Sequence, residues 1–529
     1  MCDNTVLKEQ RACGAMLGVA IGDAIGWPFE RQGKVYQSHE DGNFFAWQMS
    51  GGLYNNRYTK RIEAGTYSDD TQLTIAVGRC LLFAEKWGQQ FLKHELPAWL
   101  EYQQGGGGAL KSVARGMLKN KYPWVPDNLN KYLQAGANGA AMRILPHVLY
   151  GPAKNQENTL DAVLQDVRRD AYLSHGHPRA IVGATCLASL LYDLWQRPLS
   201  DRVPYGGLFD RALALKEHWG ALLPEWSFDG ADLQQSLSVY KGKSYAECWQ
   251  ETVQEMVRYL QQCKKHLLVQ SPFSLEDLMQ HIDAIGRQNG SGTSSVAAAI
   301  YFASLEGRPT VHAVLKAAYC EGLDTDTVAS MTGAITGMLF GEDWLSGWQG
   351  VHQVQDVAFL RDLALALVRH EPERVSAQVP ALLYPGTVEN MHKAKEPRWE
   401  ARGCQTYFRA SWGQTFAVCQ SDADLRKKGV HHEQPVTPLG DTSDSQISLP
   451  LQQPSVVATT HLPQENKQSQ QMTQHDFQQA LQYFLAILQK DATWQRKQVG
   501  TLAKSISNPD TILYEALSEA CAKASQHKA

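Results

Sequence analysis

Apolar residues along this chain recur mainly at three- and four-residue steps, so the elements it predicts are chiefly helices. The clearest run opens at Tyr67-Ser-Asp-Asp-Thr71 and continues over residues 72–87. Ser68 stands where a helix N-cap is expected. Asp69 and Asp70 follow in the first turn, where free N–H groups and the helix dipole favour oxygen and negative charge. Further helical runs fall at residues 8–24, 96–104 (with Pro97 in the first turn), 109–119, 180–195, 208–219, 247–261, 294–304 and 328–340. Residues 31–66 lack a clear period and predict a long loop, with a short hairpin near Gly51-Gly52. A loop of that length is usually functional, such as a lid over a site.

The first run carries Gly14, Gly18, Gly22 and Gly26 at four-residue steps, hence on one face. Glycine weakens a helix by roughly 1 kcal/mol against alanine. The row therefore marks close approach either of another backbone or of a ligand. Pro28 is expected to end this helix and to place Glu30 in a loop. Lys8 and Arg11 before an apolar stretch suggest a signal peptide, but Asp3, Glu9 and Asp23 break that pattern. The apolar core is also too short to span a bilayer, so a buried helix is expected.

The cap at Ser68 gains meaning from a second copy. Gly322-Leu-Asp-Thr-Asp-Thr-Val328 also leads into an apolar, small-residue run. Capping explains one such site; two, each with adjacent carboxylates and hydroxyls, look like two halves of one hard-cation site. Other candidates are more open. Gly105-Gly-Gly-Gly108 precedes a helix and either lets backbone N–H groups approach a phosphate or is a flexible connection. It lacks the G-K-[ST] ending of a Walker motif. Asn138-Gly139 is a strong turn dipeptide. His175 and His177 are either ligands and ribose donors or satisfied structural histidines.

Composition narrows the class. Of 529 residues, 43% are hydrophobic and 20% charged, enough apolar material for a sizeable core. Fifty basic against 54 acidic residues give a formal charge of −4, which leaves no nucleic-acid footprint. Ten cysteines are spread singly, without a C-x-x-C pair, so neither a zinc ribbon nor a thioredoxin-like motif is expected and a reducing cytoplasm fits best. Residues 430–471 are rich in Gln, Ser, Thr, Pro and His and predict a disordered linker. Residues 472–529 regain helical period as a small appendage, and residues 372–429 are mixed and unassigned.

Taken together, five pieces resemble the ADP-ribosylglycohydrolases of the dinitrogenase-reductase-activating type. They are Gly14-Ala-Met-Leu-Gly-Val-Ala-Ile-Gly-Asp-Ala-Ile-Gly26 with Glu30, Ser68-Asp-Asp-Thr71, Asn138-Gly-Ala-Ala-Met-Arg143, Ser174-His175, and Asp324-Thr-Asp-Thr327. The resemblance implies an all-α fold over residues 1–371, a compact multi-helix orthogonal bundle to which the C-terminal helical appendage is added. It implies metal ligands at Ser68, Asp69, Asp70, Asp324, Asp326 and Thr327, with Ser68 where the family more often has Thr. Glu30, Asp70 and Asp326 are the implied proton-handling carboxylates. Gly105, Gly107, Asn138, Gly139, Ala140 and His175 are implied to hold ADP-ribose.

An all-oxygen ligand set suits Mg²⁺ before Mn²⁺, here two ions. The expected activity is metal-dependent cleavage of ADP-ribose from a modified protein, arginine-linked mono-ADP-ribose being favoured. Serine-linked, nucleobase-linked and small-molecule ADP-ribose remain open. A different class of function is an immunity protein that binds and blocks a cognate ADP-ribosyltransferase. Docking or oligomerisation through the tail is a third. Neither a membrane nor a nucleic acid is an expected partner.

Overall fold

In the computed structural model the described residues are 4–419, apart from 32–41, 52–57, 152–158, 199–201, 223–226, 229–230, 233–238, 241, 270–272, 287–288, 376–381, 395–399, 403–404 and 411. The expected linker and helical appendage at residues 430–529 lie outside them. The described part is an all-α bundle, as expected, with short strands at its margins.

Its axis is α1, Asn4–Arg31. Every residue from Arg11 to Phe29 is buried, which a helix apolar on all sides requires. The helix is longer than its sequence suggested. Pro28 lies inside it, so Glu30 sits in its last turn and not in a loop. Proline there forfeits only one backbone bond, to the carbonyl of Ala24, and the tight packing described below holds the axis. At this length α1 is long and apolar enough to cross a membrane, yet its apolar window is wholly buried inside the fold.

Around α1 stand α2 (Asp69–Phe83), α3 (Gly108–Met117), α4 (Leu160–Tyr172), α5 (Pro178–Gln196), α6 (Tyr245–Leu268), α7 (Gly292–Ala303), α8 (Thr325–Phe340) and α9 (Val357–Arg369). The helix expected at 96–104 is instead the end of a longer one. Trp87–Gln90 runs through a π-helical turn, Phe91–Glu95, into Leu96–Trp99. The wider turn relieves the helix just ahead of Pro97, which lacks an N–H to donate.

The expected hairpin is present as β1 (Trp47–Gly51) and β2 (Tyr58–Ile62), antiparallel with Trp47 opposite Ile62. Trp47 meets Trp27 of α1 edge-on, ring centroids 5.2 Å apart. The unassigned region contributes α10 (Thr387–Ala394) and a three-stranded antiparallel sheet, β3 (Glu400–Arg402), β4 (Gln405–Arg409) and β5 (Thr415–Cys419).

The glycine row is a backbone-to-backbone crossing. α1 runs antiparallel to α8. A Cβ at Gly14 would lie 2.0 Å from the carbonyl oxygen of Gly341, at Gly18 2.2 Å from that of Gly333, and at Gly22 2.1 Å from that of Ala329. At Gly26 it would lie 2.4 Å from the oxygen of Thr325 and 2.6 Å from the backbone of Asp326. The Thr325 hydroxyl donates to the Gly26 carbonyl at 2.8 Å. The row therefore fixes the register in which the mouth of α8 meets the end of α1.

Gly22→Ala should destabilise the fold by about 2 kcal/mol or more, because overpacking against a backbone outweighs the roughly 1 kcal/mol of helix propensity gained. Gly307, which has nothing within 4 Å of a Cβ position, is the control. Gly307→Ala should stay within about 0.5 kcal/mol of the parent in the same urea titration.

Candidate metal centre

Ser68 caps α2 as its residue type dictates, its Oγ accepting from the Asp70 N–H at 3.5 Å. A second carboxylate also serves this helix mouth from α1. Asp23 Oδ1 accepts from the Ser68 N–H at 2.8 Å, and Oδ2 accepts from the Thr71 N–H at 2.9 Å and the Thr71 hydroxyl at 2.6 Å. Asp23 thus supplies the anion that a helix N-terminus favours, and leaves Asp69 and Asp70 to point elsewhere.

Asp70 turns toward α8. Its Oδ1 accepts from the Thr327 hydroxyl at 3.2 Å, while its buried Oδ2 has no hydrogen-bond partner. Asp326 Oδ1 accepts from the Thr327 N–H at 2.8 Å, capping its own helix. Ligand atoms of Asp23, Asp70 and Asp326 lie within 4.8 Å of one another, and all three residues are buried. Asp69 and Asp324 flank this triad. Asp69 Oδ1 accepts from the Gly106 N–H at 2.6 Å. Asp324, the N-cap of α8, gives its side chain not to that helix but to Asn138, whose Nδ2 donates to Oδ2 at 2.9 Å.

Nothing cationic offsets this charge: among the described residues no lysine or arginine pairs with Asp23, Asp69, Asp70 or Asp326. The consequence is visible in their protonation. Burial pushes the Asp69 carboxyl up to about 7, against the Gly106 N–H and helped by the charges of Asp23 and Glu30. Burial raises Asp70 well above its ordinary value, followed by the charges of Asp23, Asp69 and Asp324. Asp326 is raised by burial, then by Glu30, Asp324, Asp70 and Asp23. Glu30 is exposed, and its charge reaches both helix mouths. The contrast is Asp170, equally buried. There the Arg143 guanidinium and His147 overcome burial and hold the carboxyl below its usual range.

A buried, unpartnered carboxylate oxygen inside an uncompensated acidic triad fits a divalent cation, and the triad can hold one.

The predicted substrate residues border this cluster unequally. Gly105 has φ +78°, and a Cβ there would lie 2.7 Å from Asp69 Oδ1, so this glycine is required by close approach. Gly107 has nothing within 4 Å of a Cβ position and caps α3. Asn138 is buried and acts on Asp324 and on the Ser295 hydroxyl, 3.0 Å away. Gly139 and His175 are neighbours, a Gly139 Cβ lying 3.2 Å from the His175 ring. Ala140 is buried beside them in the chain. Ser174 Oγ accepts from Arg143 at 2.8 Å and stands within hydrogen-bonding distance, 2.7 Å, of His175 Nδ1. Burial and the Arg143 charge lower His175 to about 3 and keep it neutral. His177 is structural: its Nδ1 accepts from the Arg179 N–H at 3.1 Å as the N-cap of α5. Sequence reasoning missed Asp23 as a site residue. Its signal was a lone carboxylate inside an otherwise apolar, glycine-lined helix.

A model of the ADP-ribosylglycohydrolase family matches residues 4–376. The chain belongs to that family. ADP-ribosyl-[dinitrogen reductase] glycohydrolase of Rhodospirillum rubrum is 28% identical over 189 residues, 35% of this chain and 58% of that protein. ADP-ribosylarginine hydrolase of Pseudomonas putida (strain GB-1) is 23% identical over 199 residues, 36% of this chain and 48% of that protein. The chain spans about half the length of the curated relatives it matches. Among solved structures, one titled ADP-ribosylglycohydrolase-related protein complex superposes with a TM-score of 0.44 and 21% identity, over 69% of this chain and 98% of that one.

The raised carboxyls set a pH signature for this family member without metal. Asp69 titrates near 7 in the fold against an ordinary 3.8, so its contribution is present at low pH and lost as pH rises toward 7. His175 works in the opposite sense, losing stability as pH falls below its ordinary 6.5. That effect is common to samples with and without metal and cancels in their difference. The rise in melting temperature on replacing EDTA by Mg²⁺ should therefore be larger at pH 8 than at pH 5. A pH-independent increment, measured by scanning fluorimetry, would remove these carboxylates from the cation site.

Proposed function

We propose that this chain is a Mg²⁺-dependent hydrolase that cleaves the glycosidic bond between ADP-ribose and a modified protein side chain, with arginine-linked mono-ADP-ribose preferred. The observation that carries the reading is Asp70, buried at a helix mouth with one oxygen on Thr327 and the other without a partner. The arginine preference is supported by the name of one relative, an ADP-ribosylarginine hydrolase, and the protein substrate by the name of the other, which acts on an ADP-ribosylated reductase.

Asp69, Asp70, Asp324 and Asp326, with the hydroxyls of Ser68 and Thr327, are the residues that would hold two cations. Their donors are all oxygen, which suits Mg²⁺. Bound there, the cations supply a grip on a ribose diol and lower the pKa of a water. The chain's own residues do the rest. Gly107, the N-cap of α3, makes no side-chain cap bond, so the N–H groups of that helix mouth would be the donors to a pyrophosphate. Neutral His175 beside Gly139 offers a hydrogen bond to the sugar. Asp23, with both oxygens engaged, anchors α2 and adds its charge to the cluster. Glu30, exposed at the end of α1, would be the carboxylate that moves a proton as the leaving nitrogen departs.

The test is ADP-ribose release from proteins modified on arginine or on serine, with and without Mg²⁺. Asp70→Asn and Asp326→Asn should each lower kcat/KM by about a hundredfold or more. Glu30→Gln should lower kcat by roughly a hundredfold or more while Mg²⁺ still raises the melting temperature. Full turnover by Asp326→Asn, or by the parent in EDTA, would overturn the reading.

A further inference from the structure

The family match ends at residue 376, yet several described residues beyond it are built into the same core. Leu383, Val388, Gln414 and Phe416 are buried, and Phe416 packs edge-on against Tyr102 with centroids 4.9 Å apart. Two polar links run from this segment to α2, the helix whose mouth carries Ser68, Asp69 and Asp70.

The first link passes through Asp356. Its Oδ1 accepts from the Thr415 hydroxyl at 2.6 Å, and its Oδ2 accepts from the Thr415 N–H at 2.7 Å and the Tyr67 hydroxyl at 2.9 Å. Asp356 is the N-cap of α9 but makes no side-chain bond to that helix, and it adopts a left-handed φ of +61°. A non-glycine residue holds that conformation where its surroundings over-determine it. The backbone repeats the connection. The Gln355 N–H donates to the Gly65 carbonyl at 2.9 Å, and Gln355 Nε2 donates to the Thr415 carbonyl at 3.3 Å. Gly65 is pressed so close that a Cβ would lie 1.8 Å from the Gln353 oxygen. The segment immediately before Ser68 is thus layered on residues 353–356, which are layered on Thr415.

The second link grips α2 about three turns further along. The Arg79 guanidinium donates to Gln414 Oε1 on one side and to both oxygens of Glu95 on the other, at 3.1 and 2.7 Å. Glu95 also accepts from the Leu383 N–H at 2.8 Å. Arg79 and Glu95 are fully buried.

We propose that Asp356 and Thr415 are positioning residues for the cation-facing mouth of α2, so that residues 382–419, outside the family match, belong to the catalytic unit. Tyr67 is the neighbour of Ser68, so a shift of its hydroxyl moves Ser68, Asp69 and Asp70 together. Mg²⁺ demands near-octahedral ligands at short range, whereas Ca²⁺ tolerates irregular ones. Loosening the tether therefore weakens Mg²⁺ more than Ca²⁺, a selectivity that general destabilisation does not produce. The inference rests on the reading of the acidic cluster as a cation site.

The experiment uses the full chain and calorimetric titration with Mg²⁺ and with Ca²⁺. Parent, Thr415→Val, Thr415→Ser and Tyr67→Phe are compared, each checked for a cooperative melt. Thr415→Val and Tyr67→Phe should raise the Mg²⁺ Kd roughly threefold or more, with a smaller change for Ca²⁺, and Thr415→Ser should restore the parent value. In turnover, kcat at limiting Mg²⁺ should fall while KM for the modified protein holds. A parent that binds neither cation removes the metal reading itself. A parent that binds, with folded Thr415→Val and Tyr67→Phe within about twofold of it for Mg²⁺, overturns only the positioning role. If Thr415→Val does not fold, Tyr67→Phe decides by the same criterion. Loss of folding in both also overturns the proposal, since the tether would then be a folding element.

Discussion

Asp23, Asp70 and Asp326 are buried together with no arginine or lysine among the described residues to offset them. Two carboxylates about 4 Å apart repel by roughly 4 kcal/mol at the effective dielectric of a protein site. A fold keeps such a group by over-determining it with hydrogen-bond donors, which favour the charged carboxylate against burial. That is what the surroundings do here. Asp23 is held by backbone and hydroxyl donors of α2, Asp326 by its own helix, and Asp324 by Asn138. The cluster stays assembled as a buried acidic group that could hold a cation.

What brings the two helix mouths together is shape. The glycines of α1 let the α8 backbone approach with no side chain between, and at Gly26 that contact involves the backbone of Thr325 and Asp326. Side-chain packing alone leaves some freedom to slide, whereas a row of backbone contacts at four-residue steps has one register. The same crossing that buries α1 therefore also sets where the second set of carboxylates stands relative to the first.

Much of this was legible in the sequence because it rests on local chemistry. A hydroxyl cap followed by surplus carboxylates, found twice, pointed to Ser68–Asp70 and Asp324–Thr327. The glycine row announced a close approach without naming its partner. What stayed hidden depends on tertiary neighbours. Asp23 looked like a lone charge in an apolar helix until the mouth of α2 stood beside it. Pro28 looked like a stop because the hold of α8 on α1 is not a local property. His175 and His177 are two residues apart and alike in sequence, yet burial beside Arg143 makes one a neutral ring near Gly139 and a free helix end makes the other a cap. The strands after residue 399 are short and irregular in pattern, and their place is fixed by buried partners such as Arg79, far away in the chain.

The α1–α8 crossing also has a cost in time. Its two halves are separated by some 300 residues, so α1 is synthesised long before its partner exists. At ribosomal rates of about 5–20 residues per second, that interval is roughly 15–60 s. During it, the glycine stripe of a helix long and apolar enough to enter a bilayer lacks the backbone that covers it. Non-local contacts of this kind slow folding, because the intervening loop must be closed before they form. The nascent chain therefore carries that stripe uncovered until α8 arrives.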